Sequence, residues 1–359
     1  MKQSFEVVKL SDVCNCETSN LALKNLENNF GEYSLYGASG FIKNVDFYKQ
    51  DKDYIGIVKD GAGIGRVMLL ERYSSILGTM QYIIPKENIN IKYLYYNLIK
   101  MNLSKYFTGS TIPHIYFKDY KNEKIFLRTL SEQKKISNIL DNVSKILEMK
   151  KQQLSEFDKL VKFQFLKIFG DPILNEKNWK TEKLFKVAPI TQYIGKFDEK
   201  IWLLNLDMIE ANTGKIIKYN YTNLENIPLS TYKFSEENVL YSKLRPYLNK
   251  VVIPNNRGYV TSEMLPLKPN PLLLNRYFFA YLLRCETFVD FIKNKVSGTK
   301  MPRVSMEELK QFDCILPPIE LQNKFADFVK QVNKSKVELQ KSIDETQLLF
   351  DSLMDKYFG

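Results

Sequence analysis

The sequence has one histidine. His114, in Thr111-Ile-Pro-His-Ile115, is the sole imidazole among 359 residues. Ser-His-Asp and Cys-His nucleophile systems and the HExxH zinc helix would all have to pass through it, and none of their motifs surrounds it. Cysteine is almost as scarce. Only Cys14 and Cys16 lie close together, as C-x-C, with Cys285 and Cys314 far along the chain. With no histidine or second cysteine pair beside them, neither a zinc site nor a disulfide framework is expected, and a reducing compartment fits. No run of about 18 apolar residues exists, so no membrane span is expected. The segment Met1–Asp12 lacks the apolar stretch of a signal peptide, so a cytoplasmic location is expected. The turn Gly61-Ala-Gly-Ile-Gly65 has neither the GxGxxG spacing of a dinucleotide fingerprint nor the GK[ST] ending of a phosphate loop.

What is present is positive charge and repetition. Fifty-two Lys and Arg against 41 Asp and Glu give a net charge of +11, which points to a polyanionic partner. The stretch Gly109–Gly170 aligns without a gap on Gly298–Gly359. Gly109-x-x-x-Pro113 matches Gly298-x-x-x-Pro302, Gln133 and Lys135 match Gln322 and Lys324, and Phe169-Gly170 matches Phe358-Gly359. A weaker echo opens each half, Lys9-Leu10-x-x-Val13 and Lys183-Leu184-x-x-Val187. The order is therefore variable region, helical arm, variable region, helical arm. We place the first variable domain at residues 1–128, its arm at 129–170, the second domain at 171–316 and its arm at 317–359.

Each arm carries a heptad seam. In the first it runs through Ile136, Leu140, Val143, Leu147, Leu154, Phe157, Val161 and Ile168, broken at Lys150 and Gln164. In the second it runs through Phe325, Val329, Val332, Leu339, Ile343, Phe350, Leu353 and Tyr357, broken at Lys336 and Thr346. Thr129-x-x-Glu132 forms a capping box at the first start. Pro317-Pro318 marks the second, since proline is tolerated at the first helical position. Gly170 and Pro172 end the first helix. A helix of roughly 37 residues is about 55 Å long, too long to bury its stripe within one small domain. Antiparallel packing of the two arms on each other is the simplest solution, with the variable domains then related by a pseudo-twofold axis. The alternative is that each helix binds another protein.

Both variable regions mix short strands and turns. Tyr54–Val58, the glycine-rich turn with Lys59 and Arg66, and Val67–Leu70 read as a hairpin. Val239–Ser242, the basic turn with Lys243, Arg245, Tyr247 and Lys250, and Val251–Pro254 read as its parallel. Basic residues around an aromatic suit contacts to nucleic-acid backbone and bases, though a solvated hairpin tip has the same composition. The repeated Gly-x-x-x-Pro loops add Ser110, His114 and Lys118 in one copy and Thr299, Lys300 and Arg303 in the other. A turn or capping role for their Gly and Pro is the alternative.

These residues resemble a known family. Tyr36-Gly-Ala-Ser-Gly40 and Tyr54–Val67 in the first half, and Trp202–Glu210 and Val239–Lys250 in the second, resemble target-recognition domains of Type I restriction-modification specificity subunits. The arms ending in Phe-Gly resemble that family's conserved regions, and the resemblance covers essentially the whole chain. It implies an α+β fold of two α/β-type recognition domains joined by two long antiparallel helices. It implies that each domain reads one half of a bipartite duplex-DNA site. Two modification subunits, carrying S-adenosylmethionine, would dock on the helices, and restriction subunits with ATP and Mg would join them. This chain would bind no cofactor and catalyse nothing. The sequence agrees in lacking a [DNS]-P-P-[YF] methylation motif and a Walker A loop. The first domain departs from the pattern in its short opening. A coiled-coil scaffold and a single-chain DNA-modifying enzyme remain the competing readings.

Overall fold

Continuous apolar runs such as Tyr54–Val58, buried at every position, require neighbours on both sides, and the sheets supply them. A computed structural model of the chain describes residues 5–61, 63–107, 113–197, 200–298 and 301–359. Two compact units result. One comprises Met1–Lys151 with Lys341–Gly359, the other Gln152–Gln340. The division falls inside the two long helices, so each unit contains a sheet-bearing head and a half of both helices.

In the first unit, β1 (Glu6–Lys9) pairs with β9 (Lys124–Leu127). The strands between are β2 (Cys14–Thr18), β3 (Tyr33–Gly37), β4 (Gly40–Val45), β5 (Tyr54–Val58), β6 (Val67–Leu70), β7 (Ser74–Ile76) and β8 (Met80–Pro85). They form an antiparallel sheet of order β2-β8-β5-β6 and a sheet of order β4-β3-β7, in which β3 and β7 run parallel. A helix, Ile91–Met101, follows.

The second unit repeats this plan. Its ladder is β10 (Lys180–Lys183) with β20 (Asp313–Leu316). Between lie β11 (Ile201–Leu204), β12 (Tyr221–Thr222), β13 (Thr231–Phe234), β14 (Val239–Ser242), β15 (Val251–Val252), β16 (Gly258–Thr261), β17 (Met264–Leu267), β18 (Val296–Ser297) and β19 (Arg303–Val304). The order β15-β14-β17 reproduces β6-β5-β8, and the parallel pair β11–β16 reproduces β3–β7. Helix Arg276–Arg284 takes the place of Ile91–Met101. The opening echo is a structural one: Leu10 N–H donates to Glu123 O and Leu184 N–H to Phe312 O, at 2.8 and 3.0 Å.

The long helices are Leu130–Phe169 and Ile319–Phe358, 40 residues each. Thr129 and Glu132 form the capping box: Glu132 N–H donates to Thr129 Oγ1 and Thr129 N–H to the Glu132 carboxylate. The second helix starts one residue later than expected. Pro318 sits at the cap, its carbonyl accepting from Leu321 and Gln322, so neither proline occupies the first helical position. Gly170, at φ 75°, closes the first helix with its N–H on Leu166 O, and Trp179 Nε1 donates to Phe169 O.

The helices pack antiparallel in each unit. In the first, Ile136 and Leu140 share a buried cluster with Met354. The seam break at Lys150 meets the one at Thr346: the ammonium donates to Thr346 Oγ1 and Ser342 Oγ, both at 2.7 Å. In the second, Lys336 pairs with Asp158 at 2.7 Å. Polar layers of this kind fix helix register. Towards the heads the buried positions drift off the heptad. Phe165 and Phe169, outside the seam, pack on Phe278 and Phe325 with ring centroids 4.6–5.6 Å apart. Phe358 on Tyr93 at 5.1 Å is the first unit's version of Phe169 on Phe278.

A glutamine ties each head to a long helix. Gln133 and Gln322 are both fully buried. The Oε1 of Gln133 accepts from Asn90 N–H at 2.7 Å, and its Nε2 donates to Asn88 O and Arg128 O. The Oε1 of Gln322 accepts from Asn275 N–H at 2.8 Å, and its Nε2 donates to Leu273 O and Pro317 O. Asn90 and Asn275 are the N-caps of the two head helices, so each glutamine holds one helix start.

Candidate nucleic-acid interface

A tight turn between antiparallel strands brings its side chains to the edge of a sheet, and a second loop crossing it fixes their direction. Both heads use this arrangement. In the first, the turn of residues 59–66 joins β5 to β6 and is crossed by Pro113–Ile115. Ile115 N–H donates to Lys59 O at 2.9 Å, and Gly61 N–H to Pro113 O at 3.2 Å. In the second, the turn of residues 243–250 joins β14 to β15 and is crossed by Pro302–Val304. Val304 N–H donates to Lys243 O at 3.0 Å, and Arg245 N–H to Pro302 O at 2.8 Å. The closing bonds also correspond, Val58 N–H to Arg66 O and Ser242 N–H to Lys250 O.

These bonds align the two turns residue by residue. Lys59 corresponds to Lys243, Gly61 to Arg245, Arg66 to Lys250 and His114 to Arg303. Isolated bridges between Asp60 and His114 and between Leu244 and Arg303 set the same register. Ser110, Thr299 and Lys300, also candidates, lie outside the described residues.

The equivalent side chains have different chemistry. His114 Nδ1 lies 2.6 Å from Asp60 Oδ1, and its ring is stacked 6.3 Å from that of Tyr116. Arg303 instead forms a bidentate pair with Glu263, its Nη2 and Nε donating at 2.8 and 3.1 Å. That guanidinium holds the Glu263 carboxyl below the usual glutamate range. Arg66 is exposed and donates from Nη1 to Ala38 O at 2.8 Å, in the turn between β3 and β4. Lys250 is engaged, its ammonium donating to Leu206 O at 2.6 Å. Lys118 lies over the exposed ring of Tyr116, 5.3 Å from its centroid. Arg245 and Tyr247 are exposed at the tip of their turn.

Sequence reasoning found the basic turns and missed Asp60, Glu263 and Tyr116. An acidic residue one position after Lys59 was a usable signal. Glu263 had none, because its pairing with Arg303 depends on a strand crossing distant in sequence. The C-x-C pair lies on β2, where burial pushes the Cys14 thiol up to about 12 and that of Cys16 to about 11. Both are protonated at neutral pH, which disfavours metal ligation and nucleophilic chemistry there.

Comparison with known proteins adds a family. Residues 2–157 and 176–346 match the family model described as the Type I restriction modification DNA specificity domain. The specificity subunit of the Type I restriction enzyme EcoDI from Escherichia coli is 23% identical over 91% of this chain and 81% of its own length. The MjaVIII specificity subunit from Methanocaldococcus jannaschii is 24% identical over 82% of this chain and 76% of its own. The crystal structure of a Type I restriction-modification S subunit from M. genitalium superimposes with a TM-score of 0.62. It is 16% identical and the alignment covers 100% of this chain and 97% of that one. A structure described in terms of complex assembly and conformational transition of the Type I system gives 0.58 at 14% identity, over 98% and 97% of the two chains. At such identities the structural likeness is one of fold.

Proposed function

We propose, since this chain belongs to the Type I restriction modification DNA specificity domain family, that it is the non-catalytic DNA-reading subunit of such a complex. Each head reads one half of a bipartite duplex site. The observation that carries this reading is the repeated loop pair, in which the same backbone bonds present non-identical side chains twice in one chain. A fixed frame with changed side chains is what two different half-sites require. The exposed Arg66 and Lys118 in one head, and Lys243 with Arg245 in the other, supply charge toward phosphates and base edges.

The long helices carry the partners. In the first unit Ile139, Ile146 and Met149 are exposed on the first long helix, and in the second Leu160, Phe163 and Leu166. Most of them continue a heptad spacing beside the buried seam, a second apolar stripe suited to a partner's helices. Two modification subunits docked there would bring S-adenosylmethionine, and restriction subunits would bring ATP and Mg. The helix pair, with its matched lengths, would set the spacer between half-sites.

Sequencing modified bases in cells with and without the gene tests the reading. The expected result is a bipartite motif, methylated in both halves, that disappears with the gene. The isolated chain with S-adenosylmethionine should leave DNA unmodified. Methylation by the chain alone would make it an enzyme and overturn the proposal.

A further inference from the structure

Seven non-glycine residues among those described have positive φ. Five are asparagines, which tolerate the left-handed region because their short amides bond locally. The other two are Tyr73 and Arg245. Tyr73 is accounted for by its contacts: its ring meets that of Tyr48 edge to face at 5.2 Å, and Arg72 lies over it. Arg245, at φ 47° and ψ 60°, has no such contact. Its side chain is exposed and makes no hydrogen bond or ion pair with a described residue. The neighbouring cations are held otherwise, Lys250 on Leu206 O and Arg303 on Glu263.

The turn around Arg245 is unusually well fixed. Its own N–H is held by Pro302 O, and its carbonyl accepts from Leu248 N–H at 2.9 Å. Ser242 Oγ donates to Leu244 O, and Asn249, also left-handed, donates from Nδ2 to Arg284 O. A backbone conformation that glycine would adopt without strain is thus imposed on an arginine whose exposed side chain makes no hydrogen bond or ion pair with a described residue. The matching residue of the first head is Gly61, at φ 79°. Strain of this kind persists where the surrounding structure over-determines it, and it clusters at functional positions.

We propose that Arg245 is a specificity-determining residue of the second head, its guanidinium pairing with O6 and N7 of a guanine in the major groove. The first head, with Gly61 in the same register, makes no such contact. The inference rests on the reading of both heads as half-site readers. Phosphate contact is the competing role for an exposed arginine. It is disfavoured because phosphates recur identically in both half-sites, whereas this position carries a guanidinium in one head and a hydrogen atom in the other. Bidentate pairing also needs a fixed approach direction, which the rigid turn provides.

Arg245→Gly suits the backbone, so the variant should melt no lower than the parent. Arg245→Asn, also compatible with positive φ, serves as the second variant. Each is expressed with the parent's partner subunits, and the methylated motif is read from the genome. The expected result is one base pair of the second half-site becoming degenerate, with discrimination there falling roughly ten- to hundredfold and the first half-site unchanged. The reciprocal Gly61→Arg meets no steric block, since a Cβ there finds nothing within 4 Å, but it takes on the positive-φ strain that Arg245 already bears; it should alter only the first half-site. The proposal is overturned by an unchanged motif in both Arg245 variants. It is equally overturned by methylation that falls evenly across all sequences, the mark of a phosphate contact. If the parent complex itself yields no bipartite motif, the half-site reading fails before Arg245 is tested.

Discussion

Removing the Gln133 side chain should cost the first unit more than any surface change. In Gln133→Ala the Asn90 N–H and the carbonyls of Asn88 and Arg128 lose their partner together. The Arg128 bond is buried and the other two are half-buried, so water can replace only part of what is lost. An unsatisfied buried group costs about 1–3 kcal/mol and a replaceable bond about 1 kcal/mol. The sum is about 3–5 kcal/mol, before any cavity is counted. At about 2–4 °C per kcal/mol for a unit of this size, the melting temperature should fall by at least about 6 °C. Calorimetry measures the fall, and hydrogen exchange locates it. Amides of the helix Ile91–Met101 should exchange faster, while those of Arg276–Arg284 should not. Gln322→Ala should do the reverse. Gln133→Met separates the two contributions, because it keeps the volume and removes the bonds. If the methionine variant is as stable as the parent, the glutamine acts by packing and the hydrogen-bond argument is wrong.

Three further outcomes are expected. Duplex-DNA affinity should fall steeply with salt, and Arg66→Ala and Lys243→Ala should each weaken binding to all sequences and flatten the log–log salt slope by about 0.9; titrations at several ionic strengths decide this. Because Glu263 titrates below its unfolded value, its pairing with Arg303 stabilises the second unit at neutral pH and is lost as pH falls through the lowered value; Glu263→Gln should flatten that part of the acid-unfolding curve followed by circular dichroism. Four seam-compatible residues inserted after both Gln153 and Ser342 lengthen each helix by about 6 Å and turn it about 40°; the methylated motif should then show a spacer about one base pair longer with both half-sites intact, and an active complex with an unchanged spacer would refute the ruler.

Much of this architecture was legible because local rules and tertiary demands agree. The first helical arm, its Thr129–Glu132 cap and its Gly170 stop all depend on neighbours within four residues, and all stand where the pattern puts them. The seam residues from Ile136 to Leu147 are buried for the same reason. Phe165 and Met354 escaped the heptad because the helix ends pack on a head rather than only on each other. The homology of the two heads was visible at their edges and in the paired hairpins Tyr54–Leu70 and Val239–Pro254. Between Leu10 and Lys59 the second copy is shifted by insertions, so β3 and β11 align in pairing partners and not in sequence. The matching of Gly61 with Arg245 was hidden because their residue types share nothing. The bonds to Pro113 and Pro302, with the bridges beside them, reveal it.

The division of the units inside the helices bears on how the chain acquires its structure as it is made. The second unit, Gln152–Gln340, is one uninterrupted stretch. The first needs Lys341–Gly359, synthesised after the whole of the second. Until then Ile136 and Leu140 lack the cover of Met354, and Tyr93 lacks Phe358. The head written first is therefore finished last. During translation its half of Leu130–Phe169 waits with an uncovered apolar face while the other head completes its core. That interval is when the nascent chain is most open to a chaperone, a protease or a second copy of itself.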